Sequence, residues 1–187
     1  MKIFLIRHGK TNGNLKKKYI GKTDESILDF AIKKPYPKVE AVFASGLKRT
    51  KETAKKIYPS LEPIQIEKLN ECDFGDFEGK SYEELKEDQS YIDYISSNGN
   101  ATPPNGENIN AFKERSCQGF ILAVEKAREI GAETIAVVSH GGTIMAIMER
   151  FTENKDFYFW QIRNLSYFEI DFDETKKKIL SYKKEDE

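Results

Sequence analysis

Cysteine is almost missing from this sequence. Cys72 and Cys117 are the only two among 187 residues. Neither sits in a CxxC pair, so neither a disulfide framework nor a zinc site is implied, and two reduced thiols in a cytoplasmic protein are expected. A charge imbalance is missing too. Lys and Arg number 30 against 31 Asp and Glu, which removes any global electrostatic case for binding nucleic acid or a membrane surface. An anion site must then be a local cluster. No apolar run approaches the roughly 18 residues a membrane span needs, and MKIFLI, followed at once by Arg-His, is too short for the apolar core of a signal peptide. Histidine is as scarce as cysteine: there are two, His8 and His140.

What is present is a chain of one-domain length, with 39% hydrophobic and 33% charged residues, so a single domain over 1–187 is expected. Short apolar runs at 2–6, 41–45, 134–139 and 166–172 read as strands, with 179–182 pairing to the last at a sheet edge. Helical spacing covers 45–58, with Leu47, Thr50, Ala54 and Ile57 on one stripe. It recurs over 105–131, with Ile109, Phe112, Phe120, Val124 and Ala127 on one face and Gly131 as the stop, and over 142–151. Alternating strands and helices predict an α/β fold: a three-layer α/β/α sandwich around a mainly parallel sheet. The stretch 80–104 is acidic, carries Tyr82, Tyr91 and Tyr94, and ends in turn signals. It reads as a helical cap inserted over a site, with a plain surface connection as the alternative. The terminal KKEDE reads as a frayed tail.

The two histidines share a setting, an apolar run, then histidine, then glycine: IFLIRHG and IAVVSHGG. Ligands in open α/β sheets sit beyond the carboxyl ends of the strands. Arg7, His8 and Gly9, then Ser139, His140, Gly141 and Gly142, then Ser45 with Arg49 one turn on, can all converge there. Two guanidinium groups, two imidazoles and glycine-exposed N–H groups, Gly141 among them, suit a phosphate dianion. A neutral imidazole there can attack phosphorus, and a protonated second one would steady the equatorial oxygens. VVSHGG is not the GxSxG elbow of a serine hydrolase, and no Walker loop is present.

The residues also resemble a known family. RHGKTNGN (7–14), SGLKRTKETA (45–54), LNECDFGDFEG (69–79), SHGG (139–142) and RNLS (163–166) are similar, in order, to the elements of the histidine phosphatase superfamily, in its phosphoglycerate mutase-like branch. The resemblance implies a phosphoglycerate mutase-like fold and a metal-independent phosphoric monoester hydrolase without cofactor. His8 would be the nucleophile, with Arg7, Arg49 and His140 around the phosphoryl group and Asn14 as a further contact. Glu71 would be the proton donor and then the base. Two positions depart from the pattern: Lys10, where an acid, amide or arginine is usual, and Asn108 in NGEN, which reads as a helix start.

Rival readings stand beside these. Arg49 could pair with Glu52 on a helix surface. Asn14 could cap a helix begun by LKKKY (15–19), and Lys16–Lys18 could be a solvated face. Glu78 competes with Glu71 as the acid, or caps a helix near 81–88 or lines the pocket, with Asp73 and Asp76 as lesser rivals. Cys72 reads as packing. Three functions follow: a phosphatase for a small monoester, α-ribazole 5′-phosphate being one candidate; a phosphoglycerate mutase; or a non-catalytic phosphate-binding module. The chain's shortness, which leaves water access to the intermediate, favours the first. The tyrosines of 80–104 can stack on a base or sugar. A monomer or homodimer acting on a small molecule is expected.

Overall fold

The computed structural model describes residues 1–153 and 156–186. Six strands form one sheet: β1 (Lys2–Arg7), β2 (Ala41–Ala44), β3 (Ile64–Gln65), β4 (Thr134–Ser139), β5 (Tyr167–Asp173) and β6 (Lys178–Glu185), in the order β3-β2-β4-β1-β5-β6. β1 to β4 run parallel, and β5 and β6 add an antiparallel edge. The inner strands β1, β2 and β4 are apolar on both faces because both faces are covered. On one side Ile3, Leu5, Phe43, Ile135 and Val137 pack with Phe120 and Val124 of helix α5 (Ile109–Glu129) and Ile144 and Ile147 of α6 (Gly141–Phe151). On the other, Phe4, Ile6, Val42 and Val138 meet Ala54 and Ile57 of α2 (Lys48–Ile57). The three expected layers are therefore present.

Most elements fall where the sequence places them. Asn108 caps α5, its side chain accepting from the Asn110 and Ala111 amides, which removes orphan donors at a value of about 1 kcal/mol. Gly131 follows the same helix at φ 73°. Two expectations are corrected. LKKKY begins no helix: the helix there is α1 (Asn12–Leu15), Thr11 is its cap, and Lys17 sits at φ 52°, outside helical space. The C-terminal residues Lys183–Glu185 belong to β6 because Tyr167–Glu169 pair with them; Glu187 lies outside the described residues. β3, a two-residue edge, has too little pattern to be read in advance. Within 80–104 lie α3 (Tyr82–Leu85) and α4 (Gln89–Ser96). Among the described residues no helix is long and apolar enough to cross a membrane.

Candidate active site

β1 and β4 are hydrogen-bonded neighbours in register, with Arg7 opposite Ser139. The ladder continues one step, the His8 amide donating to the Ser139 carbonyl at 3.0 Å. The two histidines therefore leave the sheet side by side, ring centroids 5.2 Å apart. His8 is 4% exposed and His140 0%. Burial first, then the Arg49 cation, push both imidazoles well below the usual histidine range. Both are neutral at physiological pH.

Their hydrogen bonds differ. His8 Nδ1 lies 2.7 Å from the Gly9 carbonyl. A carbonyl can only accept, so the proton is on Nδ1 and the lone pair is on Nε2. At His140, Arg49 Nε donates to Nδ1 (3.1 Å), which puts the proton on Nε2, where it donates to Ser45 Oγ (2.8 Å). The sequence expectation of a protonated His140 is thereby corrected: one ring nitrogen already accepts from a guanidinium, and a cation beside it opposes a second charge.

Arg49 is fully buried and makes no pair with Glu52, whose carboxylate instead holds Ser26 and the Ile27 amide. Its guanidinium donates to the carbonyls of Thr23 (2.7 Å) and Gly21 (2.8 Å). Arg7 Nη1 donates to the Ile162 carbonyl (2.6 Å), while Arg7 Nε is buried without a partner. An unpaired buried N–H of a cation is costly unless a ligand completes it, and its position against the start of α6, where a Cβ on Gly141 would stand 3.4 Å away, suits an anion.

Glu71 and Glu78 occupy different environments. Glu71 Oε2 accepts from the Gly142 amide (2.9 Å) and Oε1 from the Cys72 amide (3.1 Å). Only glycine permits this at 142, since a Cβ there would lie 2.5 Å from Glu71 Oε1. Glu78 neither caps the helix after 81, which Ser81 and Glu84 cap reciprocally, nor faces the site. Its carboxylate gathers the amides of Gly21, Lys22, Thr23 and Phe74 and the Thr23 hydroxyl. It thus shapes the loop whose carbonyls hold Arg49. Asp73 pairs with Lys22, and Asp76 accepts from Asn105. Cys72 is buried, and burial pushes its thiol up.

A cavity of about 300 Å³ gathers Arg7, Asn14, Glu71, Gly141 and Gly142, with His8, His140 and Arg49 buried beneath. Asn14 is no cap. It completes the Thr11 capping box, and its Oδ1 accepts from the Thr11 amide and from Asn164 (both 3.2 Å). Lys10 is exposed and lines a shallow basic hollow with Arg7, Arg163 and Lys184. Sequence reasoning gave no role to several supports. Ser45 fixes the His140 ring. Asn164 donates to the His8 carbonyl (2.9 Å). Thr53 Oγ1 accepts from the Gly9 amide (2.9 Å). Arg115 pairs with Glu107 and donates to the carbonyls of Lys68, Asn70 and Glu71, fixing the chain that carries Glu71. Among the described residues no three His, Cys, Asp or Glu side chains form a metal-binding group.

Residues 3–185 match the model of the histidine phosphatase superfamily (branch 1). Among characterised proteins, the chain is 26% identical over 175 residues to the adenosylcobalamin/α-ribazole phosphatase of Salmonella typhimurium, covering 87% of this chain and 85% of that one. It is 30% identical over 166 residues to a metal-independent phosphoserine phosphatase of Arabidopsis thaliana, covering 81% and 68%. The α-ribazole phosphatase of Shigella flexneri superposes with a TM-score of 0.79 at 24% identity, over 96% and 93% of the two chains. A phosphoglycerate mutase of Thermus thermophilus does so at 0.67 and 23%, over 97% and 98%. At these identities the two structures establish the shared fold alone.

Proposed function

We propose, from the premise that this chain belongs to the histidine phosphatase superfamily (branch 1), that it hydrolyses a small phosphate monoester through a phosphohistidine on His8. The observation that carries the reading is the His8 tautomer: Nδ1–H tied to the Gly9 carbonyl, Nε2 with its lone pair unengaged. Nε2 attacks phosphorus, the bond to the leaving oxygen breaks, and Glu71 gives that oxygen its proton. The Nδ1–H of the phosphorylated ring keeps its bond to Gly9. Water then attacks phosphorus, Glu71 takes a proton back, and inorganic phosphate leaves with His8 neutral again. Arg7 and Arg49 hold the equatorial oxygens, the unpaired Arg7 Nε–H among the donors. Asn14 and the Gly141 amide stand at the same cavity and complete the cradle. His140 orients Arg49 through Nδ1; its Nε2–H reaches phosphate only by exchanging its Ser45 partner.

The whole of 1–187 acts as one domain in this reading, with 80–104 forming the outer wall over the site. α-Ribazole 5′-phosphate is the compound to try first, since relatives of similar length carry that name. A panel of that ester, phosphoserine and 3-phosphoglycerate, followed for released phosphate and for isomerised product, tests the proposal. Phosphate release that survives EDTA supports it. Isomerisation of 3-phosphoglycerate without net phosphate release would establish a mutase instead, and phosphate binding without turnover a binding module.

A further inference from the structure

Next to the phosphate cavity lies a larger one, about 430 Å³. Tyr19, Glu71, Phe74, Gly142, Met145 and Tyr158 line both. The walls are aromatic: Phe74 and Tyr158, with Met145, stand where the two cavities meet, and Tyr94, Phe112 and Phe157 line the larger one alone. Among the described residues no lysine, arginine or histidine contributes to the lining, and Glu71 is the one charged group there. The rim is built for close approach. Gly99 sits at φ 74°, and a Cβ on it would lie 2.5 Å from the Tyr158 hydroxyl and 3.4 Å from that of Tyr94. Glycine there lets both phenols close over the opening, where Tyr158 donates to the Asn98 carbonyl (3.0 Å).

We propose that this cavity is the leaving-group subsite and that it selects an uncharged, flat aromatic alcohol. This rests on the phosphatase reading, because the group held here is a leaving group only if Glu71 protonates the oxygen that joins the two cavities. Aromatic walls hold a flat ring by edge and face contacts and gain from excluding water. An anionic leaving group meets the opposite conditions: a carboxylate would be desolvated beside Glu71 with no cation among the described lining residues to pair it. The phosphate cavity, with Arg7 and Lys18 in its wall, and this one, without a cation among its described lining residues, divide a monoester into its charged and uncharged halves.

The test uses the intact chain and three esters of similar leaving-group acidity: benzyl, ethyl and 4-carboxybenzyl phosphate. Benzyl phosphate should exceed each of the others in kcat/KM by about tenfold or more. Equal turnover of all three overturns the subsite and leaves the phosphatase standing. The exposed rim residue Ile95, 46% accessible, offers a gain of function. Ile95→Lys places a cation at the wall and should shrink the benzyl to 4-carboxybenzyl ratio by about tenfold; an unchanged ratio overturns the proposal. Calorimetry with benzylphosphonate and ethylphosphonate separates the two readings. Tighter binding of the benzyl compound without turnover of any ester upholds the subsite and removes the phosphatase. Equal binding removes the subsite.

Discussion

His8 and His140 stand on adjacent parallel strands, one residue past the end of each, both buried and both followed by glycine. Yet one has a nitrogen left for chemistry and the other has none. At His8 the chain itself supplies the partner, a carbonyl one residue away, and the lone pair is left on the second nitrogen. At His140 two side chains, Arg49 from α2 and Ser45 from the end of the strand before it, take both nitrogens. On the proposed reading, the same backbone frame thus yields a nucleophile at one place and a brace at the other. The choice lies in who fills the imidazole's second hydrogen bond.

The largest effect that would break this comparison is at His8. His8→Ala should lower phosphate release by about 10⁴-fold or more, and protein quenched in alkali, where a phosphohistidine survives, should no longer retain phosphate. A residual rate within tenfold of the parent would mean the two imidazoles are not distinct in role. Next comes the contrast between the two glutamates that serve them. Glu71→Gln should cost about 10²- to 10⁴-fold on an alkyl phosphate and much less on p-nitrophenyl phosphate, whose leaving group needs no proton. Glu78→Gln should instead lower the melting temperature, with the smaller loss of rate; the reverse ranking reassigns the acid. Ser45→Ala sharpens the comparison from the other side. It frees His140 Nε2 while Arg49 still holds Nδ1, so kcat/KM should change by no more than about tenfold, the value of one hydrogen bond. A loss as large as that of His8→Ala would make His140 chemically equal to His8.

The smallest effect is in stability against pH. Both imidazoles are neutral in the fold and ordinary in the unfolded chain, so the unfolded state binds protons first on acidification. The stabilisation is full above about pH 6.5 and is lost as pH falls from there toward the depressed folded values. The slope is about 1.4 kcal/mol per pH unit for each proton. Chemical denaturation across pH 7 to 5 should show it, with a shallower slope in His8→Asn. An unchanged slope in that variant would place the effect elsewhere.

Local pattern accounts for how much of this was legible. The strand before each histidine, the α2 stripe, α5 and its Asn108 cap follow short-range rules, and the structure agrees. Where partners come from afar, the reading stopped. β3 is two residues long and exists because Ala44 and Phe43 offer it an edge. The last residues of the chain are a strand only because Tyr167–Glu169 pair with them. His140's charge state depends on a guanidinium 91 residues earlier. Asn14 was open between two readings, and it is Thr11 and Asn164 that settle which atoms it offers. The aromatic cavity is the extreme case: Phe74, Tyr94, Phe112, Met145 and Tyr158 come from five separate stretches, and no periodicity within any one of them marks the wall.

The register of β1 against β4 has a consequence for tolerance. Arg7 pairs with Ser139, and the next amide still bonds across, so the separation of the two imidazoles is inherited from the strand spacing, about 4.8 Å. The sheet acts as a ruler. Its graduation is a backbone constant that side-chain substitution in the core does not rewrite. Drift in specificity is therefore free to accumulate in the outer wall around Tyr94 and Tyr158, while the distance across which phosphate is handled stays the same.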